Sequence, residues 1–201
     1  MSQYLQLRPA ILPLLQIPML VLFADFLTGF FHWLEDNYGN EKTPLIGKNV
    51  TGPNLLHHRL PRKFLENSWF RSADVSIVLF MTVMFTTWFF DLLSWQFLFV
   101  GFILLNANEV HKWSHRSKKE NGPIITYLQK FKFIQGPKQH AMHHGGSMNT
   151  HYCVITNVLN PILEKINLWR KLESLIWNLF KIPNRDWLQL KASWKNQKVS
   201  S

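Results

Sequence analysis

Long runs without charge constrain this chain more than any other feature. Ile11 to Phe31 is 21 residues with one ionisable side chain, Asp25, close to the ~20 apolar residues a helix needs to cross hydrocarbon. Val75 to Phe90 adds 16 uncharged residues and Leu92 to Asn108 adds 17, with Asp91 between them. As a single helix, residues 75–108 would be roughly 51 Å long against a hydrocarbon core of about 30 Å. Two spans joined by a tight turn near Asp91–Ser94 fit instead. The expected fold is therefore an all-α, multi-span helical membrane protein of three to four spans, the fourth short or re-entrant. A secretory signal is a poor reading of the first run, which is too long and lacks an A-x-A-like cleavage site.

Charge placement orients these spans. Lys42, Lys48, Arg59, Arg62, Lys63 and Arg71 lie between the first and second runs, and fifteen further basic residues follow the third. The turn near Asp91 has none, and the N-terminal end has only Arg8. Three spans put the middle loop and the C-terminal part on one side, which the positive-inside tendency makes cytoplasmic. The Asn49-Val50-Thr51 sequon lies on that face and should remain unmodified. The formal charge of +10 does not indicate a nucleic-acid binder. Only 17% of residues are charged, while nine are Trp and sixteen Phe, so charge and apolarity are segregated along the chain. Cys153 is the one cysteine, which excludes a disulfide framework, a Cys-ligated zinc and an iron–sulfur cluster.

Histidine supplies the specific signal. All nine fall in four clusters: His32; His57 and His58; His111 and His115; and His140, His143, His144 with His151. On the topology above, all emerge on the cytoplasmic side as a His-rich helical cap. His111 and His115 are four apart, and His140 precedes His143 and His144 by three and four, so helices there would present each set from one face. Adjacent His57 and His58 would ligate from a loop or helix end. Neutral imidazole suits zinc, copper, iron and nickel, and one zinc takes about four ligands. Two metals of four or five imidazoles each use the whole inventory. The carboxylate di-iron pattern needs paired Glu-x-x-His motifs, and Glu109 is two residues from His111, on the wrong face. A lone interfacial histidine is more often a polar anchor than a ligand; clustering is what favours metal here. Asp25 within a span is either functional or hydrogen-bonded to a neighbouring helix. Asp36, one turn beyond His32, would ligate or orient a ligand. Asn108 would hold a water near a metal or mark a helix end. An all-imidazole iron pair at a membrane surface suits O₂-dependent attack on an unactivated lipid C–H bond.

Four stretches resemble a known family. Asp25-Phe26-x-x-Gly29-x-x-His32-Trp33-x-x-Asp36-x-x-Gly39 is similar to the first-span motif of the Kua-type lipid desaturases. Asn108-Glu109-Val110-His111-Lys112-Trp113-Ser114-His115 resembles the third-span exit. His140-Ala141-Met142-His143-His144 with Asn149-Thr150-His151-Tyr152-Cys153 resembles the last histidine box, and Asn160 to Glu173 the segment after it. The resemblance covers residues 20–185 of a single domain, leaving 186–201 as a solvated tail.

The resemblance implies a lipid desaturase with a histidine-ligated di-iron centre, O₂ as co-substrate and an external cytochrome b5-like or ferredoxin-like electron donor. His32, His57, His58, His111, His115, His140, His143 and His144 carry over as ligands. Plasmanyl-lipid desaturases, which make plasmalogens, have a longer link after the paired histidines with a further His, where Arg62 is here followed by Lys63. His151 stands where they have an aromatic residue and is the ninth candidate ligand. No catalytic residue is expected outside the metal centre and its neighbours Asp25, Asp36 and Asn108. Known members act near the headgroup end of an alkyl or acyl chain; this chain is expected in the bacterial inner membrane or the endoplasmic reticulum, with its metal site on the cytoplasmic face. A lipid hydroxylase with the same metal pair, and a non-catalytic metal-binding membrane regulator, are the alternatives. Pro161 to Phe180 reads as one amphipathic helix.

Overall fold

Ser2–Tyr38 forms one helix, α1, of 37 residues. In this computed structural model the backbone is described for residues 2–44 and 46–199, and side chains for 15–44, 46–194 and 196. A π-helical turn, Gly47–Thr51, runs into α2 (Gly52–Arg59), and a 3₁₀ segment (Pro61–Glu66) leads to α3 (Trp69–Phe89) and α4 (Trp95–His115). There follow α5 (Lys118–Lys130), α6 (Pro137–His144), α7 (Leu159–Lys165), α8 (Leu168–Phe180) and α9 (Trp187–Val199). The described residues contain helices and no strand.

Local chemistry explains several boundaries. Ser68 starts α3 by accepting the Arg71 N–H at 3.2 Å, an N-cap that satisfies one orphan donor. Ser117 and Glu120 form a reciprocal capping box at the start of α5. Between α3 and α4 the chain reverses at Phe90–Ser94 with Asp91 at a left-handed φ of 54°, the turn expected there.

Two helical stretches among the described residues, Leu15–Tyr38 and Trp69–Phe89, are long and apolar enough to cross a membrane. The third expected span corresponds to α4, whose 21 residues are long enough. Its second half carries Asn106, Asn108, Glu109, His111 and Lys112, so its apolar character is diluted by the residues it brings to the histidine cluster. On α3, Val78, Met81, Phe85 and Phe89 share a helical face and are all exposed.

The tightest packing surrounds an irregular segment. Residues 151–156 are all buried yet belong to no helix, so their backbone groups need partners. The Asp25 carboxylate accepts the Ile155 N–H at 2.9 Å, the Thr156 N–H at 3.1 Å and the Thr156 hydroxyl at 2.6 Å. Asn160 bonds both the N–H and the C=O of Cys153, and Gln135 donates to the same carbonyl at 2.7 Å. Trp33 and Trp169, rings stacked at 5.8 Å, close one side with Tyr152 and Leu163. Gly29 lets α1 approach: a Cβ there would lie 2.5 Å from Cys153 Sγ.

Two expectations are corrected. The helix expected over Pro161 to Phe180 is two, because Asn167 adopts a left-handed conformation between α7 and α8. The tail expected at 186–201 is not a free solvated segment. Trp187 is 3% exposed and packs with Leu55 and Met148, and α9 follows from it; residues 200 and 201 lie outside the described ones.

Candidate metal centre

Four elements bring eight of the nine histidines together. His32 comes from α1, His57 and His58 from the last turn of α2, His111 and His115 from α4, and His140, His143 and His144 from α6. They divide into two adjoining groups. His57, His111, His115, His140 and His144 form the first, and His32, His58, His143 with Asp36 the second; within each, one ligand atom per residue lies within 4.8 Å of every other. Helical geometry makes the division. His57 and His58 are consecutive, about 100° apart around a helix, so each enters a different group. His140 and His144, one turn apart, share the first group while His143 enters the second.

In the first group the ring nitrogens face one another. His111 Nε2 and His115 Nε2 each lie 2.8 Å from His140 Nε2 and 3.3 Å from each other, and His144 Nε2 is 3.0 Å from His140 Nε2. Metal–nitrogen bonds of about 2.1 Å put neighbouring ligand atoms about 3.0 Å apart at octahedral angles and about 3.4 Å at tetrahedral ones. The observed spacings match the edges of a coordination shell. Hydrogen bonds among the rings cannot satisfy them all: both nitrogens of His57, and Nδ1 of His140 and His144, are buried with no partner. Burial holds His57, His140 and His144 well below the ordinary imidazole range, keeping them in the neutral form that binds metal.

The second group is built around a carboxylate. Asp36 Oδ1 lies 2.8 Å from His58 Nε2, and Oδ2 lies 3.3 Å from His143 Nε2 and 3.6 Å from His32 Nε2. The far nitrogens are fixed by backbone. His32 Nδ1 donates to the Tyr152 carbonyl at 3.0 Å and His143 Nδ1 to the Thr150 carbonyl at 2.7 Å, so each ring turns its Nε2 toward Asp36. Such outer hydrogen bonds set the tautomer of a metal-binding histidine. Asn54 donates to Asp36 Oδ1 at 2.6 Å. Asp36 Oδ2, His32 Nε2 and His143 Nε2 are buried without hydrogen-bond partners, a set of acceptors that suits a cation.

The remaining sequence candidates lie elsewhere. His151 joins neither group; with φ at 58° its Nδ1 lies 2.6 Å from the Thr150 hydroxyl, and its N–H bonds Glu164. Asn108 donates to the Ser72 carbonyl at 2.6 Å, tying α4 to α3. Asp25 holds the 154–156 segment, whose neighbouring carbonyls orient His32 and His143. Sequence reasoning missed Tyr152 and Thr150, which act through backbone carbonyls and carry no side-chain signature. It also missed Arg185 and Trp187. Arg185 donates to the Asp36 and Gly39 carbonyls, and the Trp187 ring lies 4.7 Å from that of His58.

A family model described as the lipid desaturase domain matches residues 21–187, which include all the residues of both groups.

The chain belongs to the lipid desaturase family.

Among its relatives in that family, a protein of Acanthamoeba polyphaga mimivirus named "Probable fatty acid desaturase" is 36% identical over 81% of this chain and 81% of its own. Plasmanylethanolamine desaturase 1 of Mus musculus is 32% identical over 79% of this chain and 62% of its own length. Fatty acid desaturase 4, chloroplastic, of Arabidopsis thaliana is 27% identical over 86% of this chain and 54% of its own. The chain thus spans little more than half of the mouse and plant relatives. No solved structure matches it. A lipid desaturase is an oxidoreductase acting on lipid, and this chain holds a histidine cluster that could bind metal.

Proposed function

We propose that this chain is an O₂-dependent desaturase of membrane phospholipid, with one iron held by His57, His111, His115, His140 and His144 and a second by His32, His58, His143 and Asp36. The observation that carries the reading is the pair of adjoining groups, each offering one ligand atom per residue within 4.8 Å of every other. Bound iron supplies the reduction of O₂ and the oxidation of the C–H bonds. In each turnover two hydrogens leave adjacent carbons of the lipid, two electrons and two protons enter from outside, and O₂ departs as two waters.

The chain's own residues perform the positioning. α2, α4 and α6 fix the first group from three directions, and Phe64 covers it, its ring 5.0 Å from His57 and 5.3 Å from His111. That wall excludes water and confines the reacting carbon. α4 is the third span in this reading, and the exposed apolar face of α3 lies against lipid. The histidines sit at the cytoplasmic ends of the spans, within reach of carbons close to a headgroup. Arg59, Arg62, Lys63 and Arg116 line a cavity of about 670 Å³ beside the first group. Glu120 is paired to Arg62 there and Glu66 to Lys63, so that Arg59 and Arg116 leave it net positive. Arg62 donates to the His115 carbonyl at 3.4 Å. This basic surface attracts acidic partners, which suits a cytochrome b5-like or ferredoxin-like electron carrier.

Two measurements test the proposal. Purified protein should hold about two irons per chain. Lipids from cells expressing it should gain a double bond near the headgroup end of an alkyl or acyl chain, absent with His111→Ala. A new hydroxyl in place of the double bond would mark a hydroxylase. Zinc, or no metal, with unchanged lipids would overturn the enzymatic reading.

A further inference from the structure

The segment from Arg185 to Lys191 follows the amphipathic helices and lies beyond every histidine, yet it returns to the metal centre. Helix α1 ends at Tyr38 with Asp36 in its last turn, so the final carbonyls of α1 lack intrahelical partners. Arg185 supplies them. Its N–H bonds the Asn37 carbonyl at 2.9 Å, its Nε the Asp36 carbonyl at 2.7 Å, and its Nη2 the Gly39 carbonyl. A cation there also opposes the negative end of the helix dipole. Two residues on, the Trp187 ring lies 4.7 Å from the His58 ring and 5.5 Å from the Arg185 guanidinium. Trp187 is 3% exposed, packed against Leu55 and Met148. Lys191 then bonds the Gly146 carbonyl at 2.7 Å, just beyond α6. Asp36, His58 and His143 belong to the second group. None of the residues of the first group has its ring against Trp187.

We infer that Arg185 and Trp187 are positioning residues for one metal alone, that of His32, Asp36, His58 and His143. Arg185 fixes the backbone that presents Asp36, and Trp187 fixes the plane of the His58 ring and seals that ion from water. The inference rests on the two-metal reading above.

The test loads the full-length protein anaerobically with ⁵⁷Fe(II) and follows iron per chain, Mössbauer spectra and the rate of removal by a water-soluble chelator. Asp36→Ala and His111→Ala serve as references for the two sites. Trp187→Ala should lose or weaken the spectral component lost in Asp36→Ala, keep that lost in His111→Ala, and release one iron about tenfold faster, as loss of outer-shell support does. Trp187→Phe should restore slow release, and Arg185→Lys should fall between. Circular dichroism at parental helix content separates positioning from misfolding. Retention of both components with parental release rates, or equal loss of both, would overturn the inference. If the parent itself binds fewer than two irons, the two-metal reading fails first, and that result is seen before any variant is made.

Discussion

Asp36 shows at single-residue scale why the site is asymmetric. It is the one carboxylate among eight imidazoles, fully buried and facing three of them. Asp36→Ala is expected to remove one iron per chain and abolish double-bond formation, whereas Asp36→Asn, which keeps one acceptor oxygen, should retain part of that iron; metal analysis of both variants checks this. Protonation acts on the same residues. Burial holds His57, His58, His140 and His144 below the ordinary value of 6.5, with Asp36 partly opposing this at His58. Below pH 6.5 the unfolded chain therefore takes up protons that the metal-free fold excludes. Stability is fully present above that pH and drains away as pH falls below it. Thermal unfolding of metal-free protein in detergent should begin several degrees lower at pH 5.5 than at pH 7.5, and an unchanged or higher midpoint would contradict the argument. The histidines themselves are legible in the sequence. The partition that sends His57 and His58 to different groups follows only from the end of α2.

Elements are held together by a buried segment that is not itself an element. Residues 150–156 run through the interior, with Asp25, Asn160 and Gln135 satisfying their backbone, while their outward carbonyls orient His32 and His143. Asp25→Ala strands several buried donors, each costing about 1–3 kcal/mol, so a large fall in stability with loss of the Asp36-site iron is expected, and chemical denaturation with metal analysis measures both. Gly29→Val tests the approach of α1 to this segment. A Cβ would already overlap Cys153 Sγ, and overpacking of this kind costs about 1–3 kcal/mol. Its unfolding midpoint should drop while the first group keeps its iron. Uncharged runs of spanning length made α1, α3 and α4 readable in advance, and histidine spacing pointed to α6. The break at Asn167 was not readable, because asparagine is tolerated within helices at a small cost as well as favoured in left-handed turns, and packing chose between them.

The whole molecule places a polar, histidine-rich end on an apolar helical body. If α1, α3 and α4 all span, Asp91 and Lys118 lie on opposite faces of the membrane. Cys153 is fully buried and should resist a membrane-impermeant maleimide, so single cysteines introduced at Asp91 and at Lys118 can be read separately. In oriented vesicles the two should label from opposite sides; labelling of both from one side would require α3 and α4 to form a re-entrant pair. The apolar runs, the basic asymmetry and the histidine spacing are all local along the chain, so the sequence alone determined the helical class, the apolar body and the residue types of the centre. The tertiary structure decided which imidazole joins which group, that His151 joins neither, and that Arg185 and Trp187 lie against the second group. Those outcomes depend on contacts between residues as far apart as Asp36 and Arg185, and no local pattern encodes where two distant segments meet in space.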